Sequence, residues 1–194
     1  MIYAFGDSNV RIFETMPNTK VFSFSGASCY QIGKMGITIN DVLESGSKSI
    51  FMFGAVDTRK HIAFMARKSG ESWNSVMDRV VCEYTESIKA FCDANHVKGF
   101  VSAVIPEAYI PDHENIEEHR AIGVIEERVI RYKSANLRLM ECCANVGLSW
   151  FDPFGFFKLH DGRLDPAKEN TENICHIADE WHYIVHEEFR MSSR

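Results

Sequence analysis

Two residues near opposite ends of the chain have side chains that together suit nucleophilic chemistry. Ser8 lies in Gly6-Asp7-Ser8, directly after the apolar run 1–5, and His176 precedes the last amphipathic stretch. A histidine within hydrogen-bonding reach of a serine hydroxyl removes its proton as the oxygen attacks an ester carbonyl. A lone Gly-Asp-Ser is more often a turn that caps a helix, so the hypothesis depends on the other elements.

Apolar runs that read as strands alternate with stretches of helical periodicity along the whole chain. The predicted strands are residues 1–5, 20–24, 49–53, 99–105 and 148–151, and the predicted helices are 9–16, 39–43, 73–95, 123–145 and 177–189. This alternation predicts an α/β fold with a five-stranded parallel sheet covered on both faces. Residues 107–120 are polar and interrupted by Pro111, which predicts a loop or lid. No linker divides residues 1–194, so we expect one domain.

Polar or glycine-rich sequence follows four of the predicted strands. Three blocks are Gly6-Asp7-Ser8, residues 25–28 around Gly26, and residues 54–59 from Gly54 to Arg59, while the region after the fifth strand delivers His176. The carboxyl ends of parallel strands meet at one edge of the sheet, where such folds bind ligands. The sequence therefore predicts a single site at this edge.

These blocks, in this order, resemble those of the SGNH (GDSL-type) hydrolases. The resemblance is closer to one branch of that family: residues 53–61, Phe-Gly-Ala-Val-Asp-Thr-Arg-Lys-His, are similar to its "Phe-Gly-Glu-Ile-Asp-x-Arg-x-His" block. Residues 161–164, Asp-Gly-Arg-Leu, leading to Ile174-Cys175-His176-Ile177, are similar to its "Asp-Gly-x-Leu … Val-His-Ile" ending. The match spans nearly the whole chain.

The resemblance implies a flavodoxin-like three-layer α/β/α sandwich and a serine esterase, in a branch often associated with carbohydrate modification. Ser8 would be the nucleophile and His176 the general base, with the amides of Ser8 and Gly26 binding the oxyanion. Gly54 belongs to the third block, whose usual asparagine is replaced here by Val56. The loss of one oxyanion donor typically lowers turnover by about 10² to 10³.

Two further residues could supply the missing donor, and two could orient the histidine. Asn9 and Arg59 each carry side-chain N–H groups that could replace the third-block asparagine. The family usually has an aspartate shortly before its histidine, where this chain has Glu172 and Asn173. Either of these side chains could orient the His176 ring, and Glu172 could also stabilise its charged form.

Two other sets of residues allow both a functional and a structural interpretation. Asp179 and His182 have the family's Asp-x-x-His spacing, but on a helix they share a face with His186, which is typical of a solvated polar face. Asp57 and Arg59 could form a strand-end ion pair, or one of them could contact substrate or brace the oxyanion loop. By itself, His61 is typical of a surface or helix-capping residue.

Composition favours some classes of partner and argues against others. The formal net charge is -6, which does not favour nucleic-acid binding, and no apolar run reaches membrane-spanning length. The six cysteines (Cys29, Cys82, Cys92, Cys142, Cys143 and Cys175) include no Cys-x-x-Cys and lie mostly in apolar stretches. This pattern predicts buried, reduced thiols. Because the first predicted strand also begins at residue 1, we expect the protein in the cytosol, either of an ordinary or of a virus-infected cell.

The sequence carries no cofactor-binding motif, and a metal centre is the weakest alternative. Glycine-rich phosphate and dinucleotide motifs are absent, so no cofactor is expected. Asp57, His61, His160 and His176 lack the close ligand spacing of common metal sites.

We therefore expect a serine esterase acting on a small-molecule or glycan ester, such as an acetylated sugar. A sugar O-acyltransferase would use the same acyl-enzyme. A carbohydrate- or ligand-binding protein with weak chemistry is the alternative that Val56 favours, and a metal-assisted hydrolase is the third hypothesis. The sequence indicates no particular oligomeric state.

Overall fold

The computed structural model describes residues 1–108, 121–170 and 176–194. Its centre is a five-stranded, all-parallel sheet in the order β2-β1-β3-β4-β5. The strands are β1 (Ile2–Gly6), β2 (Thr19–Ser23), β3 (Lys48–Met52), β4 (Lys98–Ser102) and β5 (Ser149–Phe151). The α-helices are α1 (Cys29–Met35), α2 (Ile62–Ser69), α3 (Trp73–Asn95), α4 (Ile125–Val146) and α5 (His182–Ser192). This confirms the predicted α/β sandwich.

Alternation along the strands directs aromatic residues to the two faces of the sheet. Phe5 and Phe51 contact Phe91 of α3, with ring centroids 5.3 and 5.9 Å away. Phe100 pairs with Ile50, the neighbour of Phe51, and contacts Phe189 of α5 at 5.4 Å. Because successive side chains point to opposite faces, α3 and α5 cover opposite sides of the sheet.

The long helices and the strands lie close to their predicted positions. Helix α3 has the predicted bounds, α4 begins two residues later than predicted, and every strand begins within one residue of its prediction. The first predicted helix, 9–16, is a 3₁₀ helix at Ser8–Phe13. The closing helix begins with a 3₁₀ turn at Asp179–Trp181 and continues as α5. Most of the predicted loop 107–120 lies outside the described residues.

The predicted helix 39–43 is wrong, and a helix lies at Cys29–Met35 instead. Ser28 caps α1 through a reciprocal pair of hydrogen bonds with Gln31, and Gly36 ends it at φ 72°. Five residues are too few for an isolated helix in any case. Residues 39–43 are instead held beside β2, where Lys20 pairs with Asp41 at 2.7 Å.

Candidate active site

Ser8 is the first residue of the 3₁₀ helix that follows β1. Asp7 caps this helix, because its Oδ1 accepts hydrogen bonds from the Asn9 amide at 2.9 Å and from Asn9 Nδ2 at 3.0 Å. The Asp7 amide in turn donates to the carbonyl of Met52 at the end of β3, at 3.1 Å. The serine is therefore fixed at the carboxyl edge of the sheet by its two neighbours in sequence.

His176 lies opposite Ser8, with its Nε2 atom 3.1 Å from the serine Oγ. Its backbone belongs to a short antiparallel pair of segments, 168–170 and 176–178, in which the Asn170 amide donates to the His176 carbonyl at 2.8 Å. Ser8 and His176 therefore lie in the arrangement in which a neutral imidazole can accept the hydroxyl proton.

The serine and the histidine share a cleft of about 280 Å³. Its apolar lining includes Met52, Ile105 and Phe154. Its polar lining consists of the two reactive side chains together with Asn9, Arg11, Glu14, Thr15, Asn170, Asp179 and His182. A concave site of this kind, apolar at its base with a few converging polar groups, is typical of small-ligand sites.

Burial is the main cause that lowers the pKa of His176, and nearby positive charges lower it further. The guanidinium groups of Arg59 and Arg11 act in the same direction as the burial, followed by His182. Among the described residues, no carboxylate forms a hydrogen bond or ion pair with the His176 ring. Glu172 and Asn173, the predicted orienting residues, lie outside the described ranges. Burial and these charges therefore favour the neutral ring that a proton acceptor requires.

Asp7 is a buried acid that sequence reasoning did not single out. Burial raises its pKa to about 6, against hydrogen bonds from Asn9 and the charge of Arg59, while Asp57 raises it further. Its only sequence signal is its place between Gly6 and Ser8 at a strand end. The carboxyl group supports the serine's helix and makes no contact with the histidine in the structure.

Asp57 and Arg59 are near the site but do not form the strand-end ion pair considered from the sequence. Asp57 accepts hydrogen bonds from the amides of Cys29, at 2.6 Å, and Tyr30, at 3.3 Å, and so binds the start of α1. Arg59 Nε donates to the Ala55 carbonyl at 2.9 Å. His61, in the same π-helical turn Asp57–His61, lies 3.9 Å from the Asp57 carboxylate.

The glycine blocks and Val56 occupy different surroundings. Gly54 is buried at φ 113°, and its carbonyl accepts a hydrogen bond from the Thr58 amide. Gly26 is exposed in the loop between β2 and α1 and is not among the residues that line the cleft. Val56 is half-buried just before the π-helical turn. Asn9, a predicted replacement donor, uses its Nδ2 on Asp7.

His182, the alternative histidine, lines the same cleft without contacting Ser8. Its Nε2 atom lies 3.5 Å from Asp179 Oδ1 and 3.3 Å from the Ile177 carbonyl oxygen. The predicted solvated face is wrong, because His186 is buried, stacks on Phe13 and bonds to the Ile12 carbonyl at 2.6 Å. Helix α5 turns His186 toward the 3₁₀ helix that carries Ser8. Hydrophobic periodicity alone does not predict this contact.

A second buried acid, Glu107, lies beyond the end of β4. Thr58 Oγ1 donates to its carboxylate at 2.8 Å, and Arg128 Nε lies 3.7 Å away. Burial raises the pKa of Glu107 to about 7, although Arg59, Thr58 and Arg128 oppose the shift. This cluster ties α4 to the third block.

Two features are absent from the described ranges of the chain. Nowhere in them do three or more histidine, cysteine or acidic side chains group so that they could hold a metal ion. None of their helices combines the length and the apolarity needed to cross a membrane. The cysteines other than Cys175 are free thiols.

Solved structures of GDSL-like and acyl-ester hydrolases share this architecture. A GDSL-like lipase from Bacteroides thetaiotaomicron superposes with a TM-score of 0.65 over 98% of this chain and 86% of that one, at 13% identity. The fold is that of the SGNH (GDSL-type) hydrolases. The acetyl xylan esterase AlAXEase gives a TM-score of 0.57 at 11% identity, with both chains covered completely.

A domain whose name indicates no hydrolase activity also has this architecture. The OSK domain of Drosophila Oskar superposes with a TM-score of 0.62 at 10% identity, over 97% of this chain and 86% of that one. No protein-family model matches this sequence, and no curated protein does. At such low identity, the likeness establishes the fold, and the activity must be argued from the site.

Proposed function

We propose that this protein is a serine esterase in which Ser8 is the nucleophile and His176 the general base. The observation that carries the proposal is the separation of 3.1 Å between Ser8 Oγ and His176 Nε2. As Oγ attacks the ester carbonyl, its proton passes to Nε2, and the resulting imidazolium returns a proton to the leaving alcohol. Water then attacks the acyl-enzyme by the same route in reverse.

Backbone amides are the proposed donors to the oxyanion. The amide of Ser8 is one proposed donor, since the next two amides of the 3₁₀ helix, those of Asn9 and Val10, already donate to Asp7. Resemblance to the family makes Gly26 the second donor, although Gly26 does not line the cleft in this structure. The positive charge of Arg59, which acts on both Asp7 and His176, would add electrostatic stabilisation in place of the usual asparagine.

The proposed substrate is a short acyl ester, with an acetyl group on a sugar as the preferred case. A cleft of about 280 Å³ suits a small substrate rather than a long acyl chain. Its apolar lining at Met52 and Ile105 suits the acyl group, and its polar lining suits a hydroxylated alcohol. The similarity in fold to an acetyl xylan esterase supports this preference. A sugar as acceptor in place of water would make the same site an acyltransferase.

A labelled fluorophosphonate and p-nitrophenyl acetate together test the proposal. We expect stoichiometric labelling at Ser8, hydrolysis of the ester, and loss of both in Ser8→Ala with the fold intact. Ser69→Ala, at an exposed serine on the end of α2, is the matched control and should behave like the wild type. Equal turnover by Ser8→Ala and the wild type would overturn the assignment.

Two observations favour a second candidate, a sugar-binding protein with weak chemistry. In the described ranges, the His176 ring has no carboxylate partner, and Val56 stands where the family has an oxyanion donor. Binding of acetylated sugars measured by calorimetry, without labelling of Ser8, would favour this candidate over the esterase.

A further inference from the structure

We propose that Lys168 is a positioning residue that holds His176 in place for proton transfer. The inference rests on the proposed function and deepens it. The His176 ring keeps its distance of 3.1 Å from Ser8 Oγ only while the backbone that carries the ring stays in place.

The support of His176 is the paired segment 168–170 and 176–178, called here the histidine clasp. The Asn170 amide donates to the His176 carbonyl at 2.8 Å, and the Ala178 amide donates to the Lys168 carbonyl at 2.9 Å. Glu169 and Ile177 face each other between these two bonds. Two strands this short are not stable alone, so the clasp depends on contacts with the rest of the chain.

Lys168 attaches the first strand of the clasp to the 3₁₀ turn Gly155–Phe157. Its ammonium donates to the Phe156 carbonyl at 2.5 Å, lies 3.8 Å from the centroid of the Phe156 ring, and lies 3.2 Å from Asp165 Oδ2. The side chain is only 17% exposed, which strengthens both the ion pair and the cation–π contact.

Phe156 also holds the other strand of the clasp. Its ring packs on Trp181, with centroids 5.6 Å apart, and the Trp181 amide donates to the Ala178 carbonyl at 3.0 Å. Phe156 is 47% exposed and also packs edge-on against the buried Phe157, with centroids 5.4 Å apart. The first strand of the clasp is therefore attached to Phe156 through Lys168, and the second strand, which carries His176, is attached to it through Trp181.

The consequence for catalysis is geometric. A loosened clasp would let the His176 ring move relative to Ser8, and misplacement by about 1 Å can cost roughly 10²-fold in rate. The effect should fall on kcat rather than KM, because Lys168 does not line the cleft.

The test compares Lys168→Met, which keeps the apolar stem, with Lys168→Arg, which keeps the charge. Lys133→Met is the matched control, because Lys133 also donates to a backbone carbonyl, that of Asp161, outside the clasp. We expect kcat and the rate of Ser8 labelling to fall about 10-fold or more in Lys168→Met. KM should change by less than about 2-fold, Lys168→Arg should recover most of the rate, and Lys133→Met should match the wild type.

Phe156→Leu tests whether the lysine and the aromatic ring act as one unit. Phe156→Leu should also lower kcat. In the double variant with Lys168→Met, the fold-loss in kcat should be smaller than the product of the two single fold-losses. Fully multiplicative losses, or unchanged kcat and labelling in Lys168→Met, would overturn the proposal.

A second measurement separates this inference from the proposed function. The ring protons of His176, assigned by their loss in His176→Gln, should shift or broaden in the NMR spectrum of Lys168→Met and not of Lys133→Met. If the wild type hydrolyses no ester, the esterase proposal fails while this spectrum still tests the clasp. An unchanged His176 signal in Lys168→Met would overturn the positioning role in that case too.

Discussion

Ser8 Oγ lies 3.1 Å from His176 Nε2, although 168 positions separate the two residues along the chain. Both side chains reach the same edge of the sheet, Ser8 directly from the end of β1 and His176 from the clasp beyond β5. The two differ in how firmly they are placed. Ser8 is fixed by a capped helix and the sheet, whereas His176 depends on short-range contacts outside the sheet.

The pH dependence of ester hydrolysis should report the lowered pKa of His176. The base is active when neutral, so kcat/KM should rise with pH through a midpoint below about 6.5, the usual histidine value, and then stay level. Burial is the largest cause that lowers this pKa, and the charges of Arg59 and Arg11 lower it further. A rate profile between pH 4 and 9 measures the midpoint. A midpoint above 7 would contradict the electrostatics of the site.

Arg11→Gln should move that midpoint upward. Removal of a positive charge stabilises the imidazolium, so the pKa of His176 rises. Arg138→Gln, at an arginine paired with Asp78 on the surface of α3 and α4, is the control and should leave the midpoint unchanged. Equal midpoints for Arg11→Gln and the wild type would show that Arg11 is screened from the histidine.

Asp7→Asn should stabilise the protein more at neutral pH than at acid pH. Burial raises the pKa of Asp7 to about 6, so its protonated form is favoured in the folded state. The stability it contributes is complete below about pH 4 and is lost as the pH rises through about 6. Asparagine keeps an oxygen for the two Asn9 bonds and has no proton to lose.

Urea unfolding of both proteins at pH 4 and pH 8 measures this change. The free energy of unfolding of the variant, relative to wild type, should rise by about 2 to 3 kcal/mol between these pH values. Asp161→Asn is the control, because Asp161 is an exposed carboxylate whose pKa is lowered. The free energy of unfolding of Asp161→Asn, relative to wild type, should not rise between pH 4 and pH 8. A constant difference for Asp7→Asn would show that Asp7 is ionised at no cost.

The sequence was sufficient for the sheet, the long helices and the meeting of Ser8 with His176. Regular hydrophobic periods over more than twenty residues define α3 and α4 with little ambiguity, and the strands are bounded by glycine and polar blocks. The order of strand ends then places the serine and histidine at one edge. The single-domain organisation stays a prediction.

Short elements and buried polar groups were harder to predict. The start of α1 carries a signal in the sequence, the Ser28-x-x-Gln31 capping box, whereas the predicted helix 39–43 depends on a short apolar run alone. The burial of His186, Glu107 and Asp7 had no such signal. Their positions depend on which elements pack together, and local sequence does not contain that information.

Gly54→Ala should destabilise the fold more than Gly155→Ala. Gly54 has φ 113°, and an added Cβ would lie 2.8 Å from Val104 Cγ2. A Cβ at Gly155 would meet no atom within 4 Å, and its φ lies outside the positive range. We expect a loss of about 1 to 3 kcal/mol for Gly54→Ala and less than about 1 kcal/mol for Gly155→Ala. Thermal unfolding of the two variants measures the contrast, and equal losses would contradict it.

Val56→Asn should raise the turnover of short-chain esters. In the wider SGNH family an asparagine at this position donates to the oxyanion, whereas the branch block that residues 53–61 resemble has isoleucine there. One such donor is worth about 10² to 10³ in kcat. Val56 is half-buried beside the π-helical turn, so an amide fits there with little loss of packing. A gain of about 10-fold is expected if the new amide reaches the oxyanion with imperfect geometry.

Two controls decide whether such a gain comes from a hydrogen bond. Val56→Ala removes the side chain without adding a donor and should not exceed the wild type. Val56→Asn combined with Ser8→Ala should be inactive, since the donor acts only on the oxyanion formed by Ser8. If Val56→Asn and Val56→Ala have the same kcat, position 56 does not limit the reaction. Arg59, whose charge already acts on His176, would then be the donor to test next.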